Sequence, residues 1–272
     1  MEMFRLFIDD FSNAAMNMAL DETLLRQQIN NSLPPSIRFY RWKPAALSVG
    51  CLQKVQDEID LEMCRKHDID FVRRPTGGKA VLHDDELTYS ITIPASHRKM
   101  GGSGVVDSYL TISKALVRAL HLCGIKCSIA PKIVPGQAKR GTKICFETPS
   151  TYEVIADNKK IIGSAQLRDQ GVILQHGSVP IDWDPEKIFD VMGIPKEGRE
   201  LYHNKFHERA TTITKELGYR VDFEELIPCF VRGFEDTFDV ELTPTVYSKV
   251  EKRMAQSLVN EKYGSDRWNL RK

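Results

Sequence analysis

The segment KAVLHDDELTYSITIP, residues 79 to 94, sets apolar side chains at every second position through Leu87, Tyr89, Ile91 and Ile93. That period is the signature of a half-buried β-strand, and the acidic pair Asp84-Asp85 before it predicts a hairpin. Further on, TYEVIADNKKIIGSAQLRDQGVILQHGSVPID holds three more strand candidates, with turn residues at Asp157-Asn158 and Asp169-Gln170-Gly171. Three strands joined by short turns predict a β-meander. SIRFYRW and AALSVG add two short β-rich runs that meet at a Lys43-Pro44 turn, and FVRRP reads as a strand after the short helix DLEMCRKHDI.

Helical periods fill the rest. Met16, Leu20 and Leu24 recur at four-residue steps in SNAAMNMALDETLLRQQIN, with Ser12 or Asn13 as the cap. Ile112, Leu116, Leu120 and Cys123 line one face of residues 106 to 124, and most of the chain beyond residue 184 is helical in pattern. Strands and helices mix without strict βαβ alternation. The expected class is therefore α+β, a mixed and mainly antiparallel sheet flanked by helices. No composition break asks for a second domain, so residues 1–272 are read as one.

A chain of 272 residues buries a sizeable core without disulfides or a structural metal. Lys plus Arg (38) and Asp plus Glu (37) leave a formal net charge of +1, so no global basic field draws the chain to nucleic acid or to a membrane. The N-terminal MEMFRLFIDDFS lacks the layout of a signal peptide, and no apolar run approaches the roughly 20 residues of a membrane span. A cytoplasmic protein is expected. The six cysteines form no CxxC pair and no zinc-finger spacing, so free thiols and no metal site are expected.

RRPTGGKAVLHDDELTYS, residues 73 to 90, is the densest candidate for chemistry. Gly77-Gly78 allows a tight turn and close approach to a ligand, while Arg73, Arg74 and Lys79 place positive charge for a phosphate or carboxylate. Neither a Walker A loop nor a Rossmann fingerprint is present. The alternative is a glycine hairpin with solvated charges. His83, beside Asp84, is a general base or ligand-orienting group, or else a surface histidine in a turn. Cys145 precedes Lys160 by fifteen residues; on paired strands the ammonium would favour the thiolate and activate a nucleophile. Otherwise Cys145 is a small core residue and Lys160 a solvated turn lysine.

Taken together, RFYRWKPAALSVG, RRPTGGKAVLHDDELTYS and KKIIGSAQLRDQGVILQHGSV resemble the biotin/lipoate protein ligase and octanoyltransferase superfamily, from about residue 5 to the final DRWN. CFETPSTYEV before the KxxGSAQ segment is most similar to the octanoyltransferases of the Firmicutes type. The resemblance implies a ligase-like catalytic domain with its core at about residues 33–248. It also implies a two-step acyl transfer, without ATP, metal or other cofactor. The Cys145 thiolate would take octanoate from octanoyl-acyl carrier protein, and a lipoyl-domain lysine, typically of the glycine cleavage H protein, would receive it as an amide.

By the same resemblance Lys160 lowers the Cys145 pKa. Arg74, Thr76, Gly77, Gly78, Lys79 and His83, with Gly163, Ser164 and Ala165, bind the acyl substrate. A monomer suffices. The alternatives are an ATP-dependent lipoate-protein ligase, an amidotransferase between lipoyl domains and, from another class, a silent acyl-binding module. The cationic loop 131 to 143, with Lys132, Lys139, Arg140 and Lys143, is expected to steer an acidic carrier or to be merely solvated.

Overall fold

The structure is a computed structural model that describes residues 1–31, 33–56, 58–100, 102, 104–131 and 152–271. Strand β1 (Glu2–Ser12) leads into helix α1 (Ala14–Asn31), capped by Asn13, whose Oδ1 accepts from the Met16 N–H at 2.9 Å. Strands β2 (Ser36–Trp42) and β3 (Ala46–Val49) flank a cis Lys43-Pro44 bond. Helix α2 (Leu61–Lys66), β4 (Asp70–Arg73), β5 (Val81–His83) and β6 (Glu86–Pro94) follow, then α3 (Val105–Leu122).

Strands β7 (Ser128–Ile129), β8 (Val154–Ala156), β9 (Lys159–Asp169) and β10 (Val172–Pro180) come next. The last third carries α4 (Pro185–Val191), α5 (Arg199–Arg209), α6 (Ile213–Leu217), α7 (Phe223–Phe238), β11 (Val240–Pro244), α8 (Lys249–Leu258) and α9 (Asp266–Asn269).

Among the described residues the strands form two sheets, ordered β11-β1-β2-β6-β10-β9-β8-β7 and β4-β3-β5. In the large sheet β1 runs parallel to β2 and β11, and the other pairs are antiparallel. The α+β class expected from the sequence is therefore the class observed. The meander β8-β9-β10 turns where it was read, with Asp157, Asn158, Gln170 and Gly171 all at positive φ. One face of the large sheet packs on α3 and α7: Leu87, Tyr89, Ile91 and Ile93 meet Ile112, Leu116, Phe230 and Phe234 in the main core. The opposite face is covered by α1, against which α8 packs in turn.

Two expectations are corrected. Asp84-Asp85 does not close a hairpin, because β5 pairs with β3 in the small sheet while β6 pairs with β2 and β10 in the large one. The acidic pair is instead drawn outward by cations, Asp84 by Lys187 at 2.7 Å and Asp85 by Arg220 at 2.5 Å. Second, β6 is not half-buried. Its polar residues Thr88, Ser90 and Thr92 are as enclosed as its apolar ones, since α1 lies over them. The last third is mostly helical as expected, with β11 added, whose five residues extend the sheet beside β1.

Helices α3 and α7 approach at Gly233. A Cβ there would lie 2.7 Å from Ala119 Cβ and 2.8 Å from the Ala115 carbonyl oxygen. Helix propensity alone favours alanine by ~1 kcal/mol, but overpacking a tight contact costs roughly 1–3 kcal/mol. Gly233→Ala is expected to lower unfolding free energy in urea titrations, the reverse of the propensity sign.

Candidate active site

Register assembles the site. Arg38 of β2, Ser90 of β6, His176 of β10 and Ala165 of β9 stand opposite one another across four strands. The next row on the same face is Tyr40, Thr88, Ser178 and Gly163. Both rows look toward α1, which presents Asn17 and Asp21 one turn apart. The fully buried Asp21 carboxylate accepts from Arg38 Nη1 (2.9 Å), Tyr40 OH (2.9 Å), Ser90 Oγ (2.8 Å) and His176 Nδ1 (2.9 Å). Burial works to raise this carboxyl's pKa. The His176 hydrogen bond and the Arg38 charge nonetheless hold it below the usual range. His176 goes down, chiefly through burial, with Arg74 and His83 adding to the effect against the pull of Asp21. It is therefore a neutral imidazole, and its Nε2 meets Thr76 Oγ1 at 2.7 Å.

A second buried carboxylate, Glu86, lies alongside. It accepts from Thr88 and Ser178 hydroxyls and sits 2.7 Å from His83 Nδ1. Burial works to raise Glu86, but His83 and the two hydroxyls hold its pKa below the usual range. His83 Nε2 is 2.8 Å from Ser48 Oγ, and the imidazole stacks on Trp42 with ring centroids 4.1 Å apart. His83 is thus a buried strand-end residue, not a surface turn histidine.

Both arginines before the glycine pair are buried, which rules out a hairpin with solvated charges. Arg74 donates to the Ser48 carbonyl and Oγ (both 3.1 Å), the Gly77 carbonyl (2.7 Å) and the Lys79 carbonyl (2.7 Å). Its guanidinium therefore knits the loop together, although the side chain borders the cavity. Arg73 does the same for the C-terminal segment, donating to carbonyls of Gly50, Gln53, Asn269 and Arg271. Gly78 sits at φ 94°, a conformation that favours glycine, and its carbonyl packs against Gly50 so closely that any Cβ at Gly50 would overlap it.

These elements line a narrow cavity. Its lining includes the expected Arg74, Gly78, His83, Gly163, Ser164 and Ala165, together with Met18, Trp42, Ser48 and His176. Most of that lining is apolar or backbone surface, with a few convergent polar groups, as in small-molecule sites. Thr76, Gly77 and Lys79 belong to the loop around it, Thr76 as the His176 partner and the other two through their carbonyls. Lys160 lies three residues along β9 from Gly163, about 10 Å by strand rise. It is a buried lysine ion-paired to Glu153, not a solvated turn residue. Cys145 and the basic residues Lys132, Lys139, Arg140 and Lys143 lie outside the described residues. Among the described residues no group of three or more His, Cys, Asp or Glu is placed to hold a metal ion.

Sequence reasoning missed Asp21, Ser48, Glu86, His176 and Ser178. A signal existed for two of them. Asn17 and Asp21 stand four residues apart among Met16, Met18, Ala19 and Leu20 of α1, and His176 interrupts a buried strand. Only the register shows that these two features meet.

The sequence model of a family described as "Lipoyl protein ligase A/B catalytic domain" matches residues 13–235. The chain is 42% identical to octanoyltransferase LipM of Oceanobacillus iheyensis, over 93% of this chain and 92% of that one. It is 38% identical to octanoyltransferase LipM of Bacillus subtilis, over 100% and 99%. Among solved structures, a lipoate-protein ligase A bound with ATP superposes with TM-score 0.80 at 25% identity, over 99% of both chains. A bipartite lipoate protein ligase from Thermoplasma acidophilum superposes with TM-score 0.82 at 25% identity, over 100% and 99%.

Two outcomes are expected. Because the folded state holds His176 neutral while the unfolded chain protonates near pH 6.5, stability falls as pH drops through that value, by up to about 1.4 kcal/mol per pH unit for one proton. His176→Gln should flatten that limb in denaturant titrations at pH 5 to 7. Gly50→Ala should displace the Gly78 carbonyl and weaken binding of an octanoyl thioester roughly tenfold or more, the effect of ~1.4 kcal/mol of lost contact, as read by calorimetry.

Proposed function

The chain belongs to the lipoyl protein ligase A/B catalytic-domain family and is an octanoyltransferase, and from that premise we propose the route its acyl group takes. Octanoyl-acyl carrier protein donates octanoate to the Cys145 thiolate, and a lysine of a lipoyl domain, the glycine cleavage H protein, accepts it as an amide. The observation that carries this reading is the full-length correspondence with octanoyltransferases.

The chemistry suits the residues. A thioester donor is already activated, and exchange onto a thiolate is close to isoenergetic, so the first step needs a nucleophile and charge stabilisation. Amide formation makes the second step downhill. The cavity bordered by Gly78 and by Gly163 to Ala165 receives the alkyl chain. Lys160 is buried and paired with Glu153. As an ammonium its role toward Cys145 is electrostatic, favouring thiolate over thiol. The acidic surfaces of carrier and acceptor suit the cationic residues Lys132, Lys139, Arg140 and Lys143.

The likeness to a ligase bound with ATP favours a second reading, in which acyl adenylate replaces the acyl-cysteine. Intact-mass measurement separates the two. With octanoyl-acyl carrier protein, the wild type is expected to gain an octanoyl adduct that hydroxylamine removes, and Cys145→Ala to gain none. Lys160→Met should slow adduct formation about tenfold for each unit by which the thiol pKa rises. An undiminished adduct in Cys145→Ala, or full ATP-dependent transfer of free lipoate by that variant, would overturn the acyl-cysteine route.

A further inference from the structure

We propose that Ser48, His83 and Glu86 form a proton relay opening on the acyl cavity, and that it takes the proton of the incoming acceptor lysine during transfer. The inference rests on the transferase reading above. Ser48 Oγ, His83 Nε2, His83 Nδ1 and Glu86 Oε1 follow one another at 2.8 Å and 2.7 Å across the imidazole. Hydroxyl, imidazole and carboxylate in this order make a chain in which the base is oriented by a third group. Ser48 and His83 both line the cavity, and on the transferase reading, which puts the acyl chain there, both would face the acyl group and its attacker. Glu86 acts through His83 and is a positioning residue.

The transfer step requires a base. A lysine side chain arrives as an ammonium, with a pKa of about 10.4, and its nitrogen has no lone pair until a proton leaves. In the balanced step the N–C bond forms, the C–S bond breaks and two protons leave the lysine nitrogen. The first passes to Ser48 Oγ while the Ser48 proton moves to His83 Nε2, and the second goes to the departing sulfur, which leaves as the thiol.

Charge distribution selects this histidine among the bases on the page. Lys160 is engaged in an ion pair with Glu153 and does not line the cavity. His176 leans on Asp21, but that carboxylate already has a share in the Arg38 guanidinium, which pairs with Asp21 at 2.9 Å and with Asp9 at 2.6 Å. Glu86 is held by His83, Thr88 and Ser178, and among the described residues no lysine or arginine pairs with it. An imidazolium at His83 therefore turns a buried lone anion into a neutral pair. The other groups facing His83 are Trp42, stacked on the ring, Arg74, which reaches it through Ser48 Oγ at 3.1 Å, and His176. The anion in direct contact with the ring is Glu86, 2.7 Å from Nδ1.

The test separates the half-reactions. Octanoyl-enzyme is formed with octanoyl-acyl carrier protein, an isolated lipoyl domain is added, and single-turnover transfer is followed from pH 6 to 10. Ser48→Ala and Glu86→Gln are expected to slow transfer ~100-fold near pH 7, and adduct formation much less. The gap to wild type should close toward pH 10, where the lysine sheds its own proton, and Ser48→Thr should restore part of the rate. Should Glu86→Gln fail to fold by circular dichroism, the two Ser48 variants decide alone. Unchanged transfer in Ser48→Ala, equal slowing of both half-reactions, or a gap that persists at high pH would each overturn the relay. Absence of any adduct on wild type would instead bring down the transferase reading and the relay with it.

Discussion

Everything around the cavity depends on one buried carboxylate. Asp21 of α1 meets four donors from three strands of the large sheet, Arg38 and Tyr40 from β2, Ser90 from β6 and His176 from β10. A buried carboxylate without partners would cost several kcal/mol, so α1 can sit on this face only where all four donors converge. The same contacts fix the tautomer of His176 and hence the direction of Thr76. One interaction thereby docks a helix, orients an imidazole and ties the glycine loop to the sheet.

Two buried arginines hold the other wall, by a different strategy. Arg74 makes four hydrogen bonds to carbonyls of Ser48, Gly77 and Lys79, and Arg73 reaches carbonyls of Gly50, Cys51, Gln53, Trp268, Asn269 and Arg271. Each guanidinium thereby organises irregular backbone around it. The result is a loop that approaches a ligand closely, with Gly50 and Gly78 in contact because neither carries a Cβ. Arg73 extends this support to the C-terminal segment, where Trp268 Nε1 returns a hydrogen bond to its carbonyl at 2.7 Å. The ligand loop and the chain's last turn are therefore one mechanical unit.

The two histidine–carboxylate pairs look equivalent in a contact list and differ in charge. Asp21 shares a guanidinium with Asp9, whereas Glu86 is surrounded by hydroxyls and an imidazole. That difference sets the two pairs apart in their surroundings. Lys160 with Glu153 is a third buried pair, at the start of β9. Acyl transfer needs an enclosed chain, a cation and a place for a proton.

Local pattern was enough for many of the elements, though not for β1 or β11, and for half of the site. Periods of two and 3.6 placed the meander, α1 and α3, and the glycine pair marked the ligand loop, because these depend on neighbouring residues and backbone freedom. The alternation through Leu87 to Ile93 identified a strand, but its polar face was read as solvated when it is buried under α1. Nothing local distinguishes Thr88 and Ser90 facing water from the same residues facing Asp21. Likewise Ser48, Glu86 and His176 join only through strand register, over separations of 35 to 155 residues. The sequence by itself determined which segments become strands, helices and the glycine loop. Only the tertiary structure decided which polar residues share a face, because long-range pairing and the burial of charge are settled by the fold as a whole.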